Sequence, residues 1–444
     1  MTRGQLTRVL GTWDLTQIVV GTVIGSGIFI VPATVLRQTG EQLGPAVTVW
    51  LVGGVLSLLG ALTYGELGAM NPRAGGLYVF VRDAFGRPPA FLYGWAMFFA
   101  IGSGSMATLA VAASGYLQQL VPLGPMMQKV VSLAIIAVVA LLNIRGTRQS
   151  ATVQNWSTLV KVVAIIVMSA VLLARGDGLA AEAGRLWPES VTPALLSGAG
   201  LAMIGVLWAY EGWQYVTFSA GEAVDPQRTF PRALVGGTAA LILLYLLAVV
   251  AYAAALGPSG AAASDRVAAD AVQRVVGPGA ARLIAVAIVI SMFSAANGIA
   301  LTAPRVFFAM AQDGLFFRRL AEVHPRFGTP AIAVGWSCAW AAVLALSGTF
   351  EQLLTYVVFA GWLFYGLGAV SVFVYRRTQP DVERPFRVPG YPVTPILFIL
   401  SALAIVANTL VAQPVQGLLG IGVVLSGVPA YLVWRKRERT QSSE

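Results

Sequence analysis

Two ionisable side chains stand isolated in long apolar stretches of this chain. Lys161 lies 13 residues past Arg148 and 14 before Arg175. Glu211 lies inside LLSGAGLAMIGVLWAYEGWQYVTFSAGE, residues 195–222, with Gly212 beside it. A third feature is GTVIGSGIFIVP, residues 21–32, which places Gly21, Gly25, Ser26, Gly27 and Pro32 within the uncharged run 15–36. A lone ammonium, a lone carboxylate and bare glycine backbone are means of holding a small charged solute. They do not make a catalytic centre, which needs convergent His, Cys or paired acids. The chain has one histidine, His324, and one cysteine, Cys338. No enzyme activity, metal site, haem, other cofactor or intrachain disulfide is therefore expected.

The elements that position these residues follow from composition. Of the 444 residues 57% are hydrophobic and 11% charged, and the mean hydropathy is +0.76. So little charge over this length marks an all-α polytopic membrane protein with the lipid bilayer as its solvent. The net charge of +10 reports orientation, not nucleic acid. The first apolar run is too long for a signal-peptide core and further spans follow it. Charge-free windows of about 20 residues predict twelve transmembrane helices, near 15–36, 43–65, 89–119, 126–144, 151–174, 191–219, 233–257, 283–309, 330–350, 352–375, 392–412 and 415–434. Membrane strands, which alternate over about ten residues, do not fit. Of the 29 Lys and Arg, 21 fall on one side of this arrangement, 7 on the other, and Lys161 on neither. The bias predicts that both termini are cytoplasmic.

A mid-helix glycine costs roughly 1 kcal/mol relative to alanine, and a charged residue at membrane depth about 2.5–3.5 kcal/mol on insertion scales. Gly21 and Gly25 have the spacing of a close helix-packing face. The second interruption at Glu211–Gly212 favours the other reading, in which both helices break to line a cavity. The interrupted spans are the first and the sixth. Five is odd, so the two start on opposite sides, as in inverted repeats with a midplane site between discontinuous helices. The predicted organisation is a cytoplasmic N-terminus (1–14), a first five-helix repeat (15–174), an extracellular loop (175–190) and a second repeat (191–375). A cytoplasmic loop (376–391), two peripheral helices (392–434) and a cytoplasmic tail (435–444) complete it.

At this point the chain resembles the amino acid–polyamine–organocation superfamily, close to its bacterial and L-type amino acid permeases. The resemblance is carried by VGTVIGSGIFIVP (20–32), YGELGAMNPRAGGLYVFVRDAFG (64–86), LNIRGTRQSATVQN (142–155) and WAYEGWQ (208–214). GEAVDPQRTFPRA (221–233), ANGIALTAPRVFFAMAQDG (296–314), HPRFGTP (324–330) and ERPFRVPGYP (383–392) extend it over nearly the whole chain. It implies a leucine-transporter-like fold of two inverted five-helix repeats. It also implies that the amides of Gly25, Ser26 and Gly27 hold a substrate carboxylate at a half-helix N-terminus. Carbonyls of Val23, Ile24, Trp208 and Ala209 would take the ammonium, and Trp208 would close over the solute as an aromatic gate. Lys161 would occupy the place of a sodium ion, near the first break and Ser291 or Ser294. Its stem cannot comfortably snorkel about 20 Å, so it needs a partner inside the bundle. Glu211 departs from the glycine usual in L-type relatives. It either lines the side-chain pocket, favouring polar or cationic substrates, or titrates during transport, or bonds helix ends.

Other features carry weaker expectations. Glu66, Arg73, Arg145 and Asp225–Arg228 form a cytoplasmic gate or are solvated loop charges. Trp362, with Tyr365, closes the external side or packs. His324 serves a turn. Residues 392–434 lie at the periphery or form an oligomer contact, leaving monomer and homo-oligomer both open. The expected function is amino acid transport by alternating access, as a sodium-independent exchanger or with proton influence. The alternatives are a polyamine or organic-cation permease and a membrane-embedded amino acid sensor. A channel would show a pore-lining repeat, which is absent from the sequence. The short termini suit a bacterial inner membrane.

Overall fold

In the computed structural model the described residues are 6–118, 120–347 and 350–441. Residues 1–5 of the expected cytoplasmic N-terminus and 442–444 of the tail lie outside them, as do 119 and 348–349 at the ends of two expected spans. The helices are α1 (Thr12–Val23), α2 (Gly27–Gln38), α3 (Leu43–Met70), α4 (Leu77–Phe85), α5 (Arg87–Ala96), α6 (Gly102–Leu117), α7 (Pro125–Arg145), α8 (Thr147–Arg175), α9 (Gly178–Ala181) and α10 (Pro193–Ala209). They continue as α11 (Pro226–Leu256), α12 (Pro258–Ala263), α13 (Val267–Val275), α14 (Pro278–Thr302), α15 (Pro304–Gln312), α16 (Ala331–Ser347), α17 (Phe350–Thr378), α18 (Val393–Ala412) and α19 (Pro414–Gln441). A π-turn at Met97–Ile101 joins α5 to α6, and a 3₁₀ helix, Trp213–Glu222, follows α10. No strand occurs among the described residues; the one β-contact is a parallel bridge between Leu10 and Ala223.

Ten helical stretches among the described residues are long and apolar enough to cross a membrane, and the pair α1–α2, bent by 43°, makes an eleventh. The one expected span left over, the ninth (330–350), corresponds to α16, which is apolar but has 17 residues. Prolines mark several helix starts, at α5, α7, α10, α11, α14 and α15. At N1 a proline forfeits no intrahelical bond and arrives with a helical φ.

Burial separates an inner from an outer set. α1 and α2 are enclosed almost throughout, whereas α7 buries little beyond Ser132, Ile136, Val139 and Asn143. α1 packs between α11, α8 and α14, while α10 packs on α2 and α3. α18 and α19 lie against α17, α3 and α5 and expose apolar side chains such as Leu403, Val411 and Leu418. Such surfaces are unfavourable in water and neutral in lipid.

Candidate functional site

The first break follows from how α1 ends. Ile24 leaves helical geometry (φ −71°, ψ 87°), the Gly25 amide turns back to the Val23 carbonyl at 2.8 Å, and α2 starts at Gly27 without a side-chain cap. The first amides of a helix have no intrahelical partners, so those of α2 face the gap. The Ser26 hydroxyl is buried there with no hydrogen-bond partner. In the sixth span α10 stops at Ala209, Tyr210–Gly212 form a turn, and the chain resumes in 3₁₀ form from Trp213 to Glu222, interrupted by a kink at Ser219 (φ −92°, ψ 15°). Runs of 3₁₀ longer than three or four residues are uncommon and often mark functional hinges.

The two breaks touch. A Cβ on Gly27 would lie 2.5 Å from the Cα of Ala209, so only glycine permits this approach. Gly212 has φ 128°, and a Cβ there would sit 2.9–3.0 Å from backbone atoms of Thr22 and Val23. Both the dihedral and the space therefore require glycine. Gly21, by contrast, packs against the Gln154 and Thr158 side chains of α8. The paired-glycine spacing thus serves two ends, with Gly21 in helix packing and Gly25 in the break.

Between the breaks lies a cavity of ≈ 20 Å³, lined by Val23, Gly25, Ser26, Gly27, Trp208 and Glu211, together with Thr22, Ser105, Leu109, Gly212, Tyr215 and Ile299. That is room for about one water. Ile24 and Ala209 lie behind this lining with their carbonyls engaged. The Ile24 carbonyl accepts from Lys161 Nζ at 2.7 Å and from Ser291 Oγ at 3.0 Å, and the Ala209 carbonyl accepts from the Tyr245 hydroxyl at 3.1 Å. Tyr245 also reaches the Val23 carbonyl at 3.0 Å. The Trp208 carbonyl accepts from the Glu211 amide at 3.0 Å.

Lys161 is 1% exposed. Its amine donates to the Gly21 carbonyl at 2.6 Å and to that of Ile24, with the Ser291 carbonyl at 3.5 Å. No carboxylate is paired with it among the described residues; carbonyls freed by the end of α1 accept its hydrogen bonds. Ser294 accepts instead from the Ser157 hydroxyl at 2.8 Å. Glu211 accepts from Gln214 Nε2 at 2.6 Å and from the Tyr365 hydroxyl, and Gln214 also donates to Tyr365 at 2.7 Å. One edge of the carboxylate is thus tied down by the sixth and tenth spans, while Glu211 still lines the cavity. Trp362 is off the cavity, buried beside Tyr365 and Phe398.

The charges expected at the cytoplasmic gate fall in separate clusters. Glu66 pairs with Arg376 at 2.6 Å and accepts from the Val388 amide at 2.8 Å. Arg73 pairs with Asp83, and Arg82 bridges Asp83 and Asp313. Asp225 adopts a left-handed backbone at the start of α11, and Arg145 lines a separate cleft with Arg148 and Arg326. His324 accepts from the Arg326 and Phe327 amides, closing a turn. Cys338 is buried beside Met106. Tyr245, Gln214 and the buried pair Glu222–Arg305 (2.7 Å) were not anticipated from sequence. A tyrosine in an apolar run carries no local sign of the bond it makes, although acids and arginines ending helices are a usable signal.

The family model described as Amino acid permease matches residues 10–426. The chain is 30% identical over 436 residues to the serine/threonine exchanger SteT of Bacillus subtilis, covering 98% of each protein. It is 33% identical over 439 residues to the human b(0,+)-type amino acid transporter 1, covering 97% of this chain and 88% of that protein. It is 31% identical over 437 residues to the rat large neutral amino acids transporter small subunit 2, covering 96% and 81%.

Proposed function

The chain belongs to the amino acid permease family of the amino acid–polyamine–organocation superfamily, and from that premise we propose that it moves amino acids across a membrane by alternating access, as a sodium-independent exchanger. The relatives named above are transporters and exchangers of amino acids, not enzymes. Their names favour this reading over a polyamine permease. The observation that carries the mechanism is the contact of two interrupted helices around one cavity: Gly27 on Ala209, and Gly212 on Thr22.

The uncapped amides at Ser26 and Gly27 take the substrate carboxylate at the positive end of α2. Carbonyls of Val23, Trp208 and Ala209 take the ammonium, with the Tyr245 hydroxyl giving way at Val23 and Ala209, while the Ile24 carbonyl stays with Lys161 and Ser291. Trp208 covers the solute, and Trp362 supports the external side from behind Tyr365. Glu211 faces the substrate's side chain and favours polar or cationic ones. Lys161, with Ser291 and Ser294 nearby on α14, supplies the fixed charge that a sodium ion would otherwise provide. Its bonds to the Gly21 and Ile24 carbonyls support that role.

In this reading the chain has twelve spans, with α16 as the ninth, in two inverted five-helix repeats (15–174 and 191–375). α18 and α19 are peripheral. Both termini are cytoplasmic, in a bacterial inner membrane. The cavity is too small for an amino acid, so entry requires one wall to withdraw.

Counterflow in proteoliposomes tests the proposal. Labelled amino acid should accumulate against unlabelled amino acid inside, and analogues lacking the carboxylate should fail to compete. Equal competition by decarboxylated amines would point to an organic-cation permease.

A further inference from the structure

At the cytoplasmic end of α1 the Asp14 carboxylate is buried, 5% exposed. It accepts from Arg148 Nη1 at 2.9 Å, from Asn155 Nδ2 at 2.6 Å and from the Gly11 amide at 2.9 Å. Arg148 and Asn155 belong to α8, so this carboxylate ties the first half-helix to the fifth span. The segment entering α1 is also tied to the end of the sixth span. The Val9 and Leu10 amides donate to the Glu222 carbonyl at 2.9 Å, and the Val224 amide donates to the Leu10 carbonyl at 2.8 Å. The Glu222 carboxylate in turn holds Arg305 of α15 at 2.7 Å and accepts from Thr147 of α8 at 2.7 Å.

We propose that Asp14 is the cytoplasmic latch of the first half-helix, a positioning residue whose release from Arg148 and Asn155 admits the cytoplasm to the cavity. The proposal rests on the alternating-access reading. α1 is detached from α2 at Ile24–Ser26, so it can pivot there as a rigid piece. Asp14 is ten residues from that pivot, roughly 15 Å along the helix, and a bond so far out resists rotation strongly. The two carboxylates differ in how readily they let go. Arg305 and Glu222 are 0% and 1% exposed, and separating a fully buried pair strands a charge. Arg148 is 59% exposed, so water can take over its charge as it withdraws. Asp14 keeps the Gly11 amide, a bond within its own helix start, and is not left bare. The backbone bridge between Leu10 and Ala223 is a second restraint, holding the segment that enters α1 against the anchored end of the sixth span.

The test uses purified full-length protein in proteoliposomes, with Cys338→Ala and a reporter Ser105→Cys on the cavity wall. A membrane-impermeant maleimide is applied from the cytoplasmic face. Arg148→Gln and Asn155→Ala leave the α1 capping bond untouched, so they test the latch without disturbing the helix start. Asp14→Asn and Arg148→Gln should each label about tenfold faster than the parent, equivalent to roughly 1.4 kcal/mol of lost closure. The double variant should be no faster than the singles. Val224→Pro removes the bridge donor after a residue whose extended backbone (φ −78°, ψ 140°) accepts a following proline, and it should also speed labelling. Rates equal to the parent in Asp14→Asn and Arg148→Gln, with added amino acid still altering labelling in all of them, would overturn the latch alone. No effect of any amino acid on any protein, parent included, would overturn both the latch and the transport reading.

Discussion

The Thr22 hydroxyl donates to the Gly212 carbonyl at 2.9 Å, joining the last turn of the first half-helix directly to the break in the sixth span. The single proton of that hydroxyl is shared with the Ile18 carbonyl, 2.6 Å away within its own helix. A change in either break is therefore felt in the other through one side chain and two glycines.

Gly27→Ala should separate the breaks. Its Cβ meets backbone of Ala209, which cannot rotate aside, and overpacking of this kind costs roughly 1–3 kcal/mol. Amino acid affinity should fall at least about tenfold in scintillation proximity binding. Gly25→Ala should do less, since its Cβ meets the Leu109 Cδ2 at 2.8 Å, the end of a flexible side chain. Equal effects of the two would mean that the contact with Ala209 is not what matters.

Lys161→Ala removes a donor from the Gly21 and Ile24 carbonyls. Ser291 still serves Ile24, so the Gly21 carbonyl bears most of the loss, at roughly 1–3 kcal/mol for an unmet buried group. Exchange should be abolished in a protein that remains monodisperse. If Lys161 supplies the charge that sodium would otherwise bring, the parent's uptake should not change when sodium is replaced by choline. A sodium requirement in the parent would contradict this reading of Lys161.

Tyr245→Phe keeps the ring against Trp50 and Tyr210 and deletes only the hydroxyl between Val23 and Ala209. If those carbonyls serve the substrate ammonium, binding should survive while the exchange rate falls severalfold, because the empty site loses its own donor. A rise in KM with the rate unchanged would assign the hydroxyl to substrate contact instead.

Glu211→Gln preserves size and leaves the Tyr365 and Gln214 contacts available in altered form. Competition profiles should lose preference for cationic over neutral amino acids by about tenfold, with the need for a carboxylate unchanged. An unaltered profile would assign Glu211 to joining the helix ends.

Glycine and isolated charge made the breaks legible in sequence, because both are costly in an apolar helix and so stand out. Gly212 beside Glu211 marked the sixth-span turn within a residue or two. Contacts made by neutral polar residues were not legible. Ser291 and Ser294 are three residues apart on one helix, yet Ser291 faces the first break and Ser294 faces Ser157. That choice is set by the rotation of α14 against α8, which no local pattern encodes. Glu66 and Arg376 are likewise separated by 310 residues, and nearby Arg73 is engaged with Asp83. The π-turn at Met97–Ile101 left no signal, since Met, Phe, Ala and Ile suit α and π geometry alike.

The hollow between the breaks admits little more than a water molecule, which bears on pharmacology. A competitive blocker has to enter while one face of the carrier stands ajar. Analogues too bulky to be enclosed should then jam the cycle at that stage, and the site of their added bulk should reveal which face was open.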